Sequence, residues 1–422
     1  MAPHPFRRNK VRIIICEKKG EIEPIVLECK GDPNRKDLRQ IDSTQEKSGS
    51  SSIITILGIV GILGIMLAYK NAANIPFLNN IIKKTRTQEA SLITLEEDAG
   101  TKEKIKDVEA PKVEEPQSSS DELSMCLIDP KSGSILYEKA CDNKMNMAST
   151  TKIMTAIIGL ENCDDLTKEI TVTEDGIKDI NFAEYANMGL QVGEKISLDN
   201  IFEGIAVHSA CDGCDVLARV IEEYIKSTTG KDVKYVDLMN KKAEELGMED
   251  THFTNTYGAS VEGHHTSTKD MCKLMSYCVN QSSAKEEFRK YFGKTTNFVK
   301  PATNKNPNQI TYPSYTNNNL MKEEGYTFWG KTGFTDQAGQ CWVFCAEDSH
   351  GNQIIGAVFS AANTVTIAND VQELTRYGFK CIEKLKELAI KNSPKLKNIY
   401  AFDEQENTVY VTPKQGKDEE RG

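Results

Sequence analysis

From residue 124 onward the apolar positions fall into two rhythms. Residues 125–129 and 134–138 are short, mostly apolar runs joined through Pro130-Lys131-Ser132-Gly133, which predicts two strands and a tight turn. Three more such runs lie at 326–331, 340–346 and 353–360, the last two separated by the polar stretch 347–352. Between these groups the period lengthens to that of helices. An almost continuously apolar stretch (Ile153, Met154, Ala156, Ile157, Ile158, Leu160) is followed by helical patterns at 198–207, 215–225, 234–246 and 270–279. Residues 254–268 are rich in Gly, Thr and Asn, residues 294–320 are polar and irregular, and both read as loops. A last helix is expected over about 367–388. Strands, a helical block, strands again and a closing helix predict an α+β domain over 123–390, with N- and C-terminal segments sharing one antiparallel sheet.

The chain before this domain has a different texture. Two apolar runs, 11–16 and 22–29, flank the polar stretch 17–21 and suggest a small β-hairpin within a short segment 1–52. Residues 53–69 (IITILGIVGILGIMLAY) carry no charge and are just long enough to cross a bilayer. This run reads as a membrane anchor. A cleaved secretory signal is the weaker reading, because a long stretch of mixed charge precedes the run and no A-x-A site follows it directly. Flanking charge does not orient it: Arg35, Lys36, Arg39 and Lys47 on one side are matched by Lys70, Lys83, Lys84 and Arg86 on the other. Segment 70–122 is acidic, with Pro111, Pro116 and three serines at 118–120, the composition of a self-repelling spacer. A charged tail, 391–422, with one short strand near 407–411, closes the chain.

A net charge of -10 and a pI near 5.4 argue against nucleic-acid binding. The twelve cysteines follow neither a small-scaffold disulfide pattern nor a zinc-ligand spacing, and His208, His264 and His265 show no metal-binding spacing. Most of these cysteines read as small buried apolar residues, and no metal or cofactor is implied.

Chemistry enters at Ser149-Thr150-Thr151-Lys152, where a serine and a lysine three apart share one face at the start of the apolar helix. If burial keeps the amine neutral, Lys152 can act as base toward the Ser149 hydroxyl. Alone, this pairing is weak, since a helix-capping serine followed by a solvated lysine is common. Two later fragments strengthen it: Ser209-Ala210-Cys211 in a break between helices, and Lys331-Thr332-Gly333 at the end of a predicted strand. In this order they follow the S-x-x-K, S-x-N, K-T-G pattern of penicillin-recognising serine enzymes.

With these motifs the chain resembles the D-alanyl-D-alanine carboxypeptidases among the low-molecular-mass penicillin-binding proteins, over about residues 124–388. Ser134-Ile135-Leu136-Tyr137-Glu138-Lys139, Gly193-Glu194-Lys195, Leu246-Gly247-Met248, Thr251-His252-Phe253-Thr254-Asn255 and Phe334-Thr335-Asp336 extend the similarity. The resemblance implies a penicillin-binding/β-lactamase-like transpeptidase fold and a serine peptidase that removes the terminal D-Ala from peptidoglycan stem peptides ending in D-Ala-D-Ala, with β-lactams as covalent inhibitors. It implies Ser149 as nucleophile, Lys152 as base and Ser209 as proton relay. Backbone N–H groups of Ser149 and Phe334 would hold the oxyanion, and Lys331 and Thr332 the substrate carboxylate beside Gly333. The usual second-motif Asn is here Cys211, which leaves transpeptidation, or a weakly catalytic penicillin- or peptidoglycan-binding protein, open as alternatives. A β-lactamase fits less well, for want of a separate carboxylate motif. Cys211 and Cys214 are read as packing thiols rather than a redox pair. An extracellular catalytic domain would place the N-terminus in the cytoplasm and the anchor 53–69 in the cell membrane.

Overall fold

The computed structural model describes residues 113–387 in full, apart from 117 and 132, with the backbone of 388–392 and of short strands at 11–18, 21–22, 26–29, 102–108, 401–403 and 408–410. The expected anchor 53–69 and most of the acidic segment 70–122 lie outside the described residues. Among the described residues no helix is long and apolar enough to cross a membrane. In the N-terminal segment Val11–Lys18 pairs antiparallel with Glu21–Ile22 and with Val26–Cys29, Val11 standing opposite Cys29.

The main sheet has five antiparallel strands drawn from both ends of the domain. β1 (Ser124–Ile128) and β2 (Ile135–Lys139) come from the start. β7 (Thr327–Thr335), β8 (Gly339–Glu347) and β9 (Gln353–Ala361) come from the end. Their spatial order is β7-β8-β9-β1-β2, with β9 and β1 joining the two groups through Phe359 opposite Ser124 and Ile355 opposite Ile128. Period-2 alternation sends Cys341, Val343 and Cys345 of β8 to one face and Trp342, Phe344 and Ala346 to the other. Both faces are covered, so β8 reads as an unbroken apolar run. Helix α8 (Thr364–Asn392) covers the second face with Ile367, Val371, Leu374, Tyr377, Cys381 and Leu385, a stripe at helical spacing.

The other face carries the helical block. Its centre is α1 (Lys152–Asn162), buried all round over its first nine residues. Around it pack α3 (Cys211–Thr229), α4 (Tyr235–Glu245), α5 (Thr268–Ser276) and α6 (Lys285–Phe292). Ser197 caps α2 (Leu198–Glu203) and Ser267 caps α5, each accepting a backbone N–H of the first turn. A left-handed Gly230 ends α3.

Three expectations need correction, and two features are additional. Helix α3 begins at Cys211 rather than 215, so the second motif leads straight into it. The stretch 294–320 is not one irregular loop: it holds a hairpin of β5 (Phe298–Lys300) and β6 (Ile310–Tyr312) and the start of α7 (Asn318–Glu323). Helix α6 and a second hairpin, β3 (Glu169–Thr171) with β4 (Lys195–Ser197), were not anticipated. Finally, contacts with the domain begin before residue 123. The Ser119 N–H and hydroxyl both bond the Asp370 carboxylate on α8, at 3.0 and 2.6 Å, and Lys139 donates to the Ser118 hydroxyl at 2.7 Å.

Candidate active site

Three separate stretches of chain meet beside the free edge of β7. The first is a tight turn, Ala148–Thr151, that leads into α1 and carries Ser149. Lys152 opens the helix proper and is fully buried, with Nζ 2.8 Å from Ser149 Oγ. The amine also donates to the Tyr257 carbonyl at 2.7 Å and to Cys211 Sγ at 3.4 Å. Ser149 Oγ, the Tyr257 carbonyl and Cys211 Sγ thus surround Lys152 Nζ and fix it beside the hydroxyl.

The second stretch is the corner between α2 and α3. Helix α2 widens into a five-residue turn, Gly204–His208, and the chain then reverses at Ser209 in the left-handed region (φ 63°). That conformation costs a non-glycine residue about 1–2 kcal/mol. It is held by the Ala210 N–H on the Gly204 carbonyl and the Cys211 N–H on the Ala186 carbonyl. The corner aims the Ser209 hydroxyl at Lys331, 3.0 Å from Nζ.

The third is β7 itself. Lys331, Thr332 and Gly333 lie within the strand rather than at its end, since pairing with β8 continues to Thr335 opposite Gly339. Gly333 is pressed against the nucleophile turn: a Cβ there would stand 2.7 Å from Ser149 N and 3.0 Å from Thr150 N. Only glycine lets strand and turn approach this closely. Phe334, next along, is 54% exposed.

The electrostatics are unusual for so buried a place. Lys152 and Lys331 are both fully buried, and among the described residues neither has a carboxylate within ion-pair distance. Burial, reinforced by the nearby Lys152, pushes Lys331 down to about 7. Two buried lysines thus converge on one cleft with no carboxylate in contact among the described residues, which suits the cleft to an anionic ligand.

Similarity to known proteins agrees with this geometry. Residues 109–363 match the family described as D-alanyl-D-alanine carboxypeptidase. The chain belongs to that family. It is 29% identical over 266 residues to the D-alanyl-D-alanine carboxypeptidase DacF of Bacillus subtilis, which covers 62% of this chain and 62% of that one. It is 27% identical over 251 residues to a D-alanyl-D-alanine carboxypeptidase of Streptomyces, covering 58% of this chain and 83% of the relative. Among solved structures, a Streptomyces DD-transpeptidase superposes with a TM-score of 0.55 at 25% identity, over 64% of this chain and 100% of that one. Penicillin-binding protein 6B of Escherichia coli gives 0.54 at 26% identity, over 64% of this chain and 79% of that one. The domain thus has the mixed helix-and-sheet fold of the penicillin-binding DD-peptidases.

Within this family member the motif residues named from the sequence come together, with two qualifications. Cys211 is 3% exposed and its thiol faces Lys152; burial raises its pKa and keeps it a thiol. Thr332 donates its hydroxyl proton to the Tyr315 carbonyl at 2.5 Å, so it must turn before it can donate to a ligand. The Cys214 thiol donates to the Ala210 carbonyl at 3.3 Å, away from Cys211, and burial raises it too.

Sequence reasoning missed the Tyr257 carbonyl, because a backbone acceptor has no side-chain signature. A signal did exist in Asn255 and Gly258. The Asn255 side-chain oxygen accepts the N–H groups of Gly258 (2.7 Å) and Ala259 (3.0 Å), an Asx-type turn. Gly258 has φ +99°, and a Cβ there would overlap the Ala148 carbonyl at 1.9 Å. The turn delivers the Tyr257 carbonyl to Lys152. The buried pair Lys300–Glu194 (2.9 Å) was also missed; Lys300 further donates to the Met188 and Gly189 carbonyls, while Asp212 accepts the Met188 and Leu190 N–H groups. Together they hold the segment beside the second motif.

Proposed function

We propose that this protein is a serine-type D-alanyl-D-alanine carboxypeptidase acting on peptidoglycan stem peptides through an acyl-enzyme on Ser149. The observation that carries this reading is the pairing of Ser149 and Lys152 at 2.8 Å beside the buried Lys331, which has no carboxylate within ion-pair distance among the described residues. Lys331 binds the terminal carboxylate of the peptide, with Thr332 turning from Tyr315 to join it. The substrate lies as an added strand along the free edge of β7. This sets the carbonyl between the two D-alanines against Ser149.

Lys152 then takes the Ser149 proton as Oγ attacks. The oxyanion is held by the N–H groups of Ser149 and Phe334, each donor worth about 3–4 kcal/mol. The C–N bond breaks as Lys152 passes the proton it took from Ser149 through Ser209 to the departing D-alanine amine; water then hydrolyses the ester, leaving a free carboxyl on the peptide and a hydroxyl on Ser149. A β-lactam fits the same cleft and leaves a stable ester on Ser149. No step needs a metal or a cofactor.

A second reading, transfer of the acyl group to an amine rather than to water, draws support from Cys211, which supplies a buried thiol in place of an amide, and from the resemblance to a DD-transpeptidase. Incubation with a D-Ala-D-Ala pentapeptide, with and without an acceptor amine, tests both. Release of D-Ala and a tetrapeptide regardless of acceptor supports the carboxypeptidase. A cross-linked product that dominates with acceptor supports transfer, and recovery of intact pentapeptide refutes both. The uncharged run 53–69 supports a single-pass anchor in the cell membrane, and a peptidoglycan substrate would then put the catalytic domain outside and the N-terminus in the cytoplasm.

A further inference from the structure

The amide proposed to hold the oxyanion belongs to the Ala148–Ser149 peptide, and the other end of that peptide is gripped by side chains that take no part in the chemistry. Thr151 Oγ1 donates to the Ala148 carbonyl at 2.8 Å and lies 2.9 Å from His264 Nε2. His264 Nδ1 stands 3.0 Å from the Thr254 N–H, with the Thr254 hydroxyl oxygen 3.4 Å away. These contacts fix the direction of every bond. A backbone N–H can only donate, so Nδ1 is an acceptor and the proton of the neutral ring sits on Nε2. Burial and the neighbouring His265 and His252 hold the ring neutral, with a pKa pushed down to about 4. Nε2–H therefore donates to Thr151, whose own proton is committed to Ala148.

The opposite side of the same carbonyl is walled by Gly258, and Ala148 has the left-handed φ of 46°. A non-glycine residue does not rest there unaided. Because a peptide unit is planar and trans, fixing its carbonyl fixes its N–H in the opposite direction. We infer that Thr151 and His264 are positioning residues that aim the Ser149 amide at the oxyanion. The inference rests on the reading of Ser149 as nucleophile and adds a support that the three motifs do not contain: a buried histidine more than a hundred residues away, acting through a motif threonine.

The test is the acylation rate constant with a fluorescent penicillin, measured beside melting temperature for four single variants and one double variant of the full chain. Thr151→Val removes the hydroxyl and is expected to slow acylation roughly 10- to 100-fold, part of the loss seen when an oxyanion donor is deleted. Thr151→Ser keeps the hydroxyl and stays within a few-fold of wild type. His264→Gln places an amide N–H where Nε2 was and is expected to rescue the rate, whereas His264→Asn keeps only the acceptor for Thr254 and is slow. Thr151→Val combined with His264→Asn should be no slower than Thr151→Val alone, because both cut one chain of bonds. A purely structural role predicts that rate follows melting temperature and that Gln and Asn at 264 behave alike; that pattern, or a wild-type rate in Thr151→Val, overturns the inference. Should Thr151→Val not fold, the contrast between Gln and Asn at 264 decides. Failure of wild type to take any label brings down the nucleophile assignment itself and is separately visible.

Discussion

Replacing Gly333 by Ala probes the junction on which the site depends. The added methyl would sit 2.7 Å from Ser149 N, 3.0 Å from Thr150 N and 3.1 Å from Ala148 Cβ. Two of these neighbours are backbone atoms of a turn already held by Gly258, so no flexible side-chain end can swing aside. Restoring ordinary contact requires strand and turn to part by about 0.7 Å at the place where the Ser149 and Phe334 amides must converge. A misplacement of about 1 Å costs on the order of 100-fold in rate, so Gly333→Ala should slow acylation by a labelled penicillin roughly 30- to 100-fold. That is about 2–3 kcal/mol of transition-state stabilisation. Gly330, three residues earlier on β7, supplies the control. A Cβ there meets side-chain atoms, Trp342 Nε1 at 2.8 Å and Phe328 Cε1 at 3.1 Å. Gly330→Ala should therefore lower the melting temperature through overpacking, about 1–3 kcal/mol, while acylating within a few-fold of wild type. Stopped-flow acylation with parallel thermal denaturation measures both. Equal acylation rates in Gly333→Ala and wild type, at equal folded fraction, would show that the contact between β7 and the nucleophile turn does not align the site.

Three further outcomes follow from the charges. Lys331 in the free protein loses its proton as pH rises through about 7, so KM for a peptide with a free terminal carboxylate should climb above that pH, while a C-terminal amide analogue shows no such limb; parallel KM–pH profiles for the two would contradict the assignment. His264 has a folded pKa depressed to about 4 against about 6.5 unfolded, so the unfolded chain binds the extra proton between those values. Its contribution, roughly 3 kcal/mol, is present above pH 6.5 and lost as pH falls toward 4; denaturant titrations should show that slope in wild type and not in His264→Gln. Lys300→Met leaves Glu194 charged and buried without its cation and should cost about 3–5 kcal/mol, whereas pairing it with Glu194→Leu should recover part of the loss in urea unfolding.

How much of this could be read from the sequence depended on what each residue signals by itself. The sheet strands were legible because β8 and β9 are long, apolar and bounded by turn residues, and α8 because its stripe has helical spacing. Hairpins of three-residue strands, such as Glu169–Thr171 with Lys195–Ser197, give no period to detect. Helix α3 was placed four residues late because Cys211-Asp212-Gly213 looks like a break, yet Asp212 is buried there to bind the Met188 and Leu190 N–H groups. Lys300 falls in a stretch whose letters suggest a solvated loop, and only its meeting with Glu194 explains its burial. In the site, Ser149, Lys152, Ser209 and Lys331 could be named because their side chains carry the motif. The Tyr257 carbonyl, the Ala148 carbonyl and the Thr151–His264 link could not, since backbone acceptors and long-range bonds leave no mark on local spacing.

The central claim is that Ser149 is the atom that becomes acylated. Intact-protein and peptide mass spectrometry after incubation with benzylpenicillin tests it most directly. The account predicts one penicilloyl group per chain, carried by the peptide containing Ser149 and missing from Ser149→Ala. An unmodified wild-type chain, or an adduct that persists in Ser149→Ala, would contradict it.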